Sequence, residues 1–487
     1  MSRWELGTAP VPYDAVIGYE TLLELPPHSL SSVFDTVLRY HAPTVRAGLP
    51  LARSHPAERI AWPRTEGLLR QAAQGAPMNG SGWDELTALV THGPRFSYGT
   101  DDLWAAAAHR LLTEVMVADG VSWMRRFEAF NRLLAHPVLQ IEALAAVRDA
   151  VADRTVQSLV GTACMFDSCA HAEATTQVLR QLRSPGDDRV FKGSLMACVR
   201  KIDYGHFTPH HLSTLSHSLA DVLSGGAGDI GPDGLGEDTL ALARSVLRQI
   251  PPRLQHRQAA KLLRAFATRD LERHHAVVKE NRLAPEAGAR IVARRLAHET
   301  AARLSTPADG YVDDVLPVLF EETLFHPVFD VRLYAASLLH ASPYRTAAAR
   351  VLAEELTSTW RAGEEMWLTT LLEALRKLGG DHERRSVEPL VLHPSAPAAI
   401  ADVAAYALGH IGGTSPHRFW QRAVTRHATA WVATRRPAHA SVLDRLVYAI
   451  GRAGHRGLLA EVRDDPRLPA PVRSSARWWL RHPGVQD

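Results

Sequence analysis

His326-Pro327-Val328-Phe329-Asp330-Val331-Arg332-Leu333-Tyr334-Ala335-Ala336-Ser337-Leu338-Leu339 holds the pattern on which the fold turns. Val331, Arg332, Ala335 and Leu339 stand at i, i+1, i+4 and i+8, and the spacing returns in Ile400, Ala401, Ala404 and Leu408 and in Val472, Arg473, Ala476 and Leu480. On a helix this gathers a β-branched residue, a small residue and a leucine into one stripe, where Ala admits a neighbouring helix at close range. His393-Pro394 precedes the second copy as His326-Pro327 precedes the first, and Pro469 and Pro471 precede the third. His136-Pro137, with Ile141, Glu142 and Ala145, starts the same way, but Asp149 stands where leucine is expected.

Outward from these copies the apolar period stays helical. Leu103 to Met116, Trp123 to Leu134, Leu139 to Val151, Thr239 to Leu247, Ala259 to Phe266 and Ile291 to Leu304 carry apolar residues every three or four positions, with few alternating β-branched runs. An all-α chain is expected. Thr208-Pro209 and Ser305-Thr306-Pro307 offer a hydroxyl N-cap followed by proline, and Gly379-Gly380 and Gly412-Gly413 offer helix stops. Gly75 to Gly82 reads as a boundary and the acidic, Gly-rich run Gly225 to Asp238 as a surface loop.

The repeated stripe resembles the second helix of HEAT repeats, whose paired helices stack so that each unit buries its apolar face against its neighbours. The resemblance implies a right-handed α-solenoid over 83–487, clear in the C-terminal third and degenerate before it. The tetratricopeptide signature is not found, although degenerate units of that type remain open.

With 487 residues, 46% hydrophobic and 22% charged, the chain has ample material for a core. Fifty-five basic against fifty-two acidic side chains give +3, so any nucleic-acid contact is local rather than a coating of charge. Three cysteines, Cys164, Cys169 and Cys198, are too few and odd for a disulfide framework. No signal sequence or long apolar run is present, and a cytoplasmic protein without membrane contact is expected.

Residues Met1 to Leu30 carry Ser2-Arg3-Trp4-Glu5-Leu6-Gly7, a Pro10-Val11-Pro12 turn, then Ala15 to Leu25 as an amphipathic helix containing Tyr19-Glu20-Thr21-Leu22-Leu23-Glu24-Leu25. This run resembles the second half of a helix-turn-helix domain of the xenobiotic-response-element (Cro and repressor) type in actinobacterial regulators. The resemblance implies a partial domain over 1–40, a linker over 41–82, and two further helices upstream that a complete domain needs. It places Ser2 and Arg3 at the end of a recognition helix against DNA, Trp4, Tyr19, Leu22 and Leu23 in the small domain's core, and Glu5 and Glu20 in internal hydrogen bonds. Met1 stands where the family carries an aliphatic residue, and a GTG codon read as a start would give this. The overall layout also resembles actinobacterial regulators of aerial mycelium and sporulation.

Basic residues from Arg253 to Arg303 are interleaved with Asp270, Glu272, Glu280, Glu286 and Glu299, which reads as an ion-paired surface. Arg418, Arg422 and Arg426 share a helical face with Trp420 nearby, a stripe suited to an acidic partner because guanidinium forks pair carboxylates. Cys164, Cys169 and His171, and the group His206, His210, His211 and His217, fit no common metal spacing. With no nucleophile elbow, Walker sequence or zinc-protease helix, no catalytic residues, metal or cofactor are expected. These readings together imply a cytoplasmic transcriptional regulator whose helical body binds a protein, peptide or small signal, working as a homodimer, with DNA contact when the upstream helices are present. A repeat scaffold without DNA binding is the alternative, and a helical-repeat enzyme ranks behind both.

Overall fold

A computed structural model describes residues 9, 11–41, 58–92, 101–153, 155–157, 159–183, 188–224, 237–265, 285–304, 313–326, 329–360 and 365–482. Among the described residues all extended regular structure is helical and no strand occurs. The chain divides into two compact units, one made chiefly of Phe34–Glu280 and the other of Asp14–Val33 with Asn281–Gly484.

The first two helices, α1 (Tyr13–Leu22) and α2 (Ser29–His41), meet at a corner built by one carboxylate. Buried Glu20 accepts from the backbone N–H groups of His28, Leu30 and Ser31 at 3.2, 2.7 and 2.6 Å. An anion is well placed there, because the first N–H groups of α2 have no partner within the helix. Glu20 thus holds internal hydrogen bonds, as its position in the sequence implies.

The first unit takes the part of α2 from Phe34 onward, then α3 (Glu58–Ala73), α4 (Gly80–His92), α5 (Asp101–Val117), α6 (Gly120–Ala135), α7 (Gln140–Ala152), α8 (Leu159–Cys164), α9 (Ala172–Arg183), α10 (Asp188–Asp203), α11 (Pro209–Leu223) and α12 (Glu237–Gln249). The predicted N-cap at Thr208 forms, its hydroxyl accepting from His211 at 3.3 Å with Pro209 in the first turn. The segment 41–82, expected as a linker, supplies α3, whose Leu68, Leu69 and Ala72 are buried. The departure at Asp149 also has a structural meaning. Helix α7 buries Ala143, Leu144, Ala146 and Val147 and leaves Ile141 59% exposed, so the repeat stripe is not the packing face there.

A buried ionic network crosses α2, α4, α5 and α6 beside an apolar core that includes Leu86, Leu111 and Phe130. Glu114 on α5 accepts from Trp83 Nε1 at 2.8 Å, from Arg126 Nε at 2.9 Å and from Arg110 Nε at 2.8 Å. Asp84 on α4 pairs with Arg125 and, at 2.5 Å, with Arg132 of α6, while Arg125 also meets Asp35 at 3.1 Å and Arg39 meets Glu128 at 3.0 Å. Arg39, Arg125, Arg126 and Arg132 are all buried. Charges removed from water in this way persist only when each guanidinium fork is matched by carboxylates or carbonyls.

The second unit runs through α13 (Pro285–Ala301), α14 (Val315–Phe325), α15 (Phe329–Ala341), α16 (Arg345–Trp360), α17 (Glu365–Leu378), α18 (Asp381–Leu392), α19 (Ala398–Leu408), α20 (His417–Thr434), α21 (Pro437–Arg452), α22 (Arg456–Asp464) and α23 (Ala470–Arg481). From α16 onward successive helices pair, α16 with α17, α18 with α19, α20 with α21 and α22 with α23. The second members α17, α19, α21 and α23 then pack one on the next. The stripe predicted from the sequence is buried on α15, which packs on α17, and on α19 and α23: Ala335 and Leu339, Ile400, Ala404 and Leu408, and Val472 and Ala476 are all buried, while Val331 and Leu480 are half-buried.

Polar groups beside this stripe tie neighbouring helices. Ser441 donates to Asp402 at 2.6 Å, Arg445 meets the same carboxylate at 3.3 Å, and Ser475 donates to Asp444 at 2.8 Å. Buried Arg384 donates to the carbonyls of Leu408 and Ile411 at 2.7 and 2.6 Å, which satisfies C-terminal acceptors that the helix leaves open. The stop expected at Gly412-Gly413 falls earlier, since α19 ends at Leu408, and Gly413 instead adopts φ 83° in the turn that follows, close against Asp381.

A candidate partner-binding groove on the C-terminal array

The first members of the pairs form their own row, α16 against α18 and α18 against α20, but α20 and α22 are not closely packed. Helix α20 has 18 residues and α22 only 9, so a cavity of about 1070 Å³ opens between them. Its apolar lining comes from Leu392, Val424, Val432, Leu458, Val462 and Leu468. Val432 is 43% exposed, in contrast to buried Leu458 and Val462.

Arg422 and Arg426 line this groove, as do Arg467, Glu461 and Asp465. Asp465 is neutralised by Arg467 at 2.8 Å, which holds its carboxyl below the usual range. Arg426 donates to the His393 carbonyl at 3.0 Å and pairs no carboxylate among the described residues, and Arg422 is exposed without an ion-pair partner among them. The groove is therefore an apolar trough with two cations that the fold leaves available to an outside anion. Arg418, one turn earlier, is exposed on the same face but outside the trough.

Trp420 corrects the sequence reading. It is fully buried, 0% exposed, and packs edge-on to Phe419 at 4.9 Å, so it anchors α20 in the core instead of facing a partner. Two residues from Arg418 and Arg422, it points to the opposite side of the helix, as a period of 3.6 dictates. The lining from α22 and Leu468 was not legible in the sequence; the shortness of the Arg456–Asp464 helix, bounded by Gly454 and Pro466, is the one signal that marks it.

His427 lies beneath the groove, 3% exposed, with Nε2 donating to the Val391 carbonyl at 3.0 Å. Burial lowers its pKa to about 4. It is a neutral structural link between α18 and α20.

The N-terminal candidates fare differently. Ser2, Arg3, Trp4 and Glu5 lie outside the described residues, Tyr19 is half-buried, and Leu22 and Leu23 are 77% and 57% exposed, not packed in a core among the described residues. Leu22, the last residue of α1, stands off the face that carries Val16 and Glu20, and Leu23 lies beyond the end of the helix.

Other sequence candidates resolve into structure. Arg290 pairs with Glu321, Arg295 with Glu299 and Glu355, and Arg303 with Glu354, so the expected ion-paired surface forms over 290–303, while Arg253, Arg257 and Lys261 pair no carboxylate among the described residues. Cys164, Cys169 and Cys198 are buried free thiols, and buried Lys201 donates to the Cys169 carbonyl at 2.6 Å, its pKa lowered by burial to about 8. Among the described residues no three His, Cys, Asp or Glu side chains converge to hold a metal ion, and no helix is long and apolar enough to cross a membrane. The chain matches no protein-family model, and no curated protein sequence is significantly similar to it.

Proposed function

We propose that the protein is a regulatory binding protein whose C-terminal array, read as a HEAT-like solenoid, holds an amphipathic, acidic segment of a protein partner between α20 and α22. One observation carries this reading: the row of first helices opens at this point onto an apolar trough flanked by Arg422 and Arg426, neither paired with a carboxylate among the described residues. A helix about 10 Å across laid into such a gap would continue the row and bury its apolar face, with its carboxylates meeting the guanidinium groups. The regulatory half of the reading rests on Tyr19 to Leu25 and its helix-turn-helix resemblance, through which occupancy of the groove would be passed to DNA binding in the cytoplasm.

Selection of partners from a displayed library of helical peptides tests the groove. Recovered peptides should carry an apolar stripe flanked by Asp or Glu, and the double variant R422E/R426E should weaken them by about tenfold or more, since each charge-assisted contact contributes ~1.5–3 kcal/mol. Recovery of basic peptides, or affinities indifferent to charge reversal, would remove the groove from consideration. Retention of a genomic DNA pool by the 487-residue chain, against retention by a variant lacking Met1 to Leu30, separates the regulator from a scaffold without DNA binding.

A further inference from the structure

Helix α11 carries a second, unrelated site. His210, Ser213, Thr214 and His217 stand at i, i+3, i+4 and i+7, one stripe made wholly of polar side chains, while Leu215, Leu219, Ala220 and Val222 pack on the remaining circumference. This stripe, with His210, Ser213 and His217 exposed, borders an open cavity of about 540 Å³ whose rim is completed by Arg183 at the end of α9 and by His256 just beyond the turn Pro252–Leu254.

The lining comes from three separate pieces of chain. The His217 and His256 rings stand 4.6 Å apart edge to face, and the backbone N–H of His256 donates to Ser216 at 2.8 Å, which fixes that wall against α11. Arg183 and His210 have no ion-pair partner among the described residues. The single carboxylate of the cavity, Asp221, lies 3.3 Å from His217 Nε2 and is engaged there, leaving Nδ1 as the nitrogen free to turn toward a ligand.

We propose that this cavity binds the phosphoryl group of a small molecule. A guanidinium, three imidazoles and the hydroxyls of Ser213, Thr214 and Ser218 line it and offer more donors than a planar carboxylate accepts. A metal ion suits the cavity less well, because its His and Asp side chains do not converge on a common point. The volume leaves room for more than bare phosphate.

Calorimetric titration of the full chain with inorganic phosphate and with AMP, against chloride at matched ionic strength, tests the site. Saturable binding of phosphate and AMP with equal affinity identifies free phosphate as the ligand, and tighter binding of AMP identifies an organic phosphate. R183A and the double variant H217A/H256A should each weaken binding about tenfold or more, which is what the loss of one charged contact implies. Arg183 is exposed, so R183A should keep the parent's circular dichroism and unfolding midpoint, and its result is readable even if the histidine variant unfolds. No saturable binding of either probe, affinities unchanged in a folded R183A, or a response to Zn²⁺ with none to phosphate would each overturn the proposal.

Discussion

The two units solve the same problem, holding helices side by side, with opposite chemistry. In the first, α2, α4, α5 and α6 are joined through Asp35, Asp84, Glu114 and Glu128 meeting Arg39, Arg125, Arg126 and Arg132 away from water. In the second, α17, α19, α21 and α23 meet through alanine and leucine, and the buried Arg384 finds carbonyls instead of carboxylates. A stripe of small and branched side chains works for any neighbour that carries the same stripe, so it can be repeated along a row. A buried ionic network has one correct geometry, and each member depends on several others. The comparison therefore predicts damage that spreads in the first unit and stays local in the second.

The strongest way to break it is Asp84→Ala. This carboxylate serves both Arg125 and Arg132, and its removal leaves buried guanidinium charge uncompensated. A loss of about 3–5 kcal/mol is expected from removing one partner of a buried pair. Urea unfolding would report it, and hydrogen exchange should show faster opening of α4 and α6 together. A change under 1 kcal/mol would mean that the network is decoration on an apolar core.

The same contrast explains what could be read from sequence. The array was legible because Val331, Ile400 and Val472 each begin the same four-residue code, and three copies of one code stand out against unrelated chain. The network was not legible. Asp35, Asp84 and Arg125 carry no local pattern, and an arginine destined for the interior looks like one destined for solvent until a carboxylate 41 positions away in the chain is brought to it. Of the groove, Arg422 and Arg426 are visible in the sequence as a helical face, whereas Trp420, close to them in sequence, stands on the opposite, buried side of the same helix. The gap itself depends on which helices fail to touch, which no single segment encodes.

His427 sharpens the comparison from the other side, since it is a buried titratable group within the array. Its pKa is lowered by burial from 6.5 to about 4, so the folded state favours the neutral ring. The stability that this contributes is complete above pH 6.5 and is lost progressively as the pH falls toward about 4, because the unfolded chain takes up the proton first. Roughly 3 kcal/mol is at stake across that window. His427→Gln, which keeps an N–H donor for the Val391 carbonyl, should flatten the midpoint-versus-pH curve there. An equally steep curve in the variant would assign the acid sensitivity to other groups.

The smallest effect is the most discriminating for a repeat array. At Gly451 on α21 an added Cβ would stand 2.2 Å from the Trp479 ring of α23, so Gly451→Ala must push the last helix pair outward. Overpacking of this kind costs ~1–3 kcal/mol. If stability is shared only between neighbours, α22 and α23 should exchange faster with solvent while α16 to α19 keep the parent's protection, and Trp479 should report the change in near-ultraviolet circular dichroism. Faster exchange reaching back to α16 would show that the array folds as one indivisible block, and the contrast with the ionic unit would lose its physical basis.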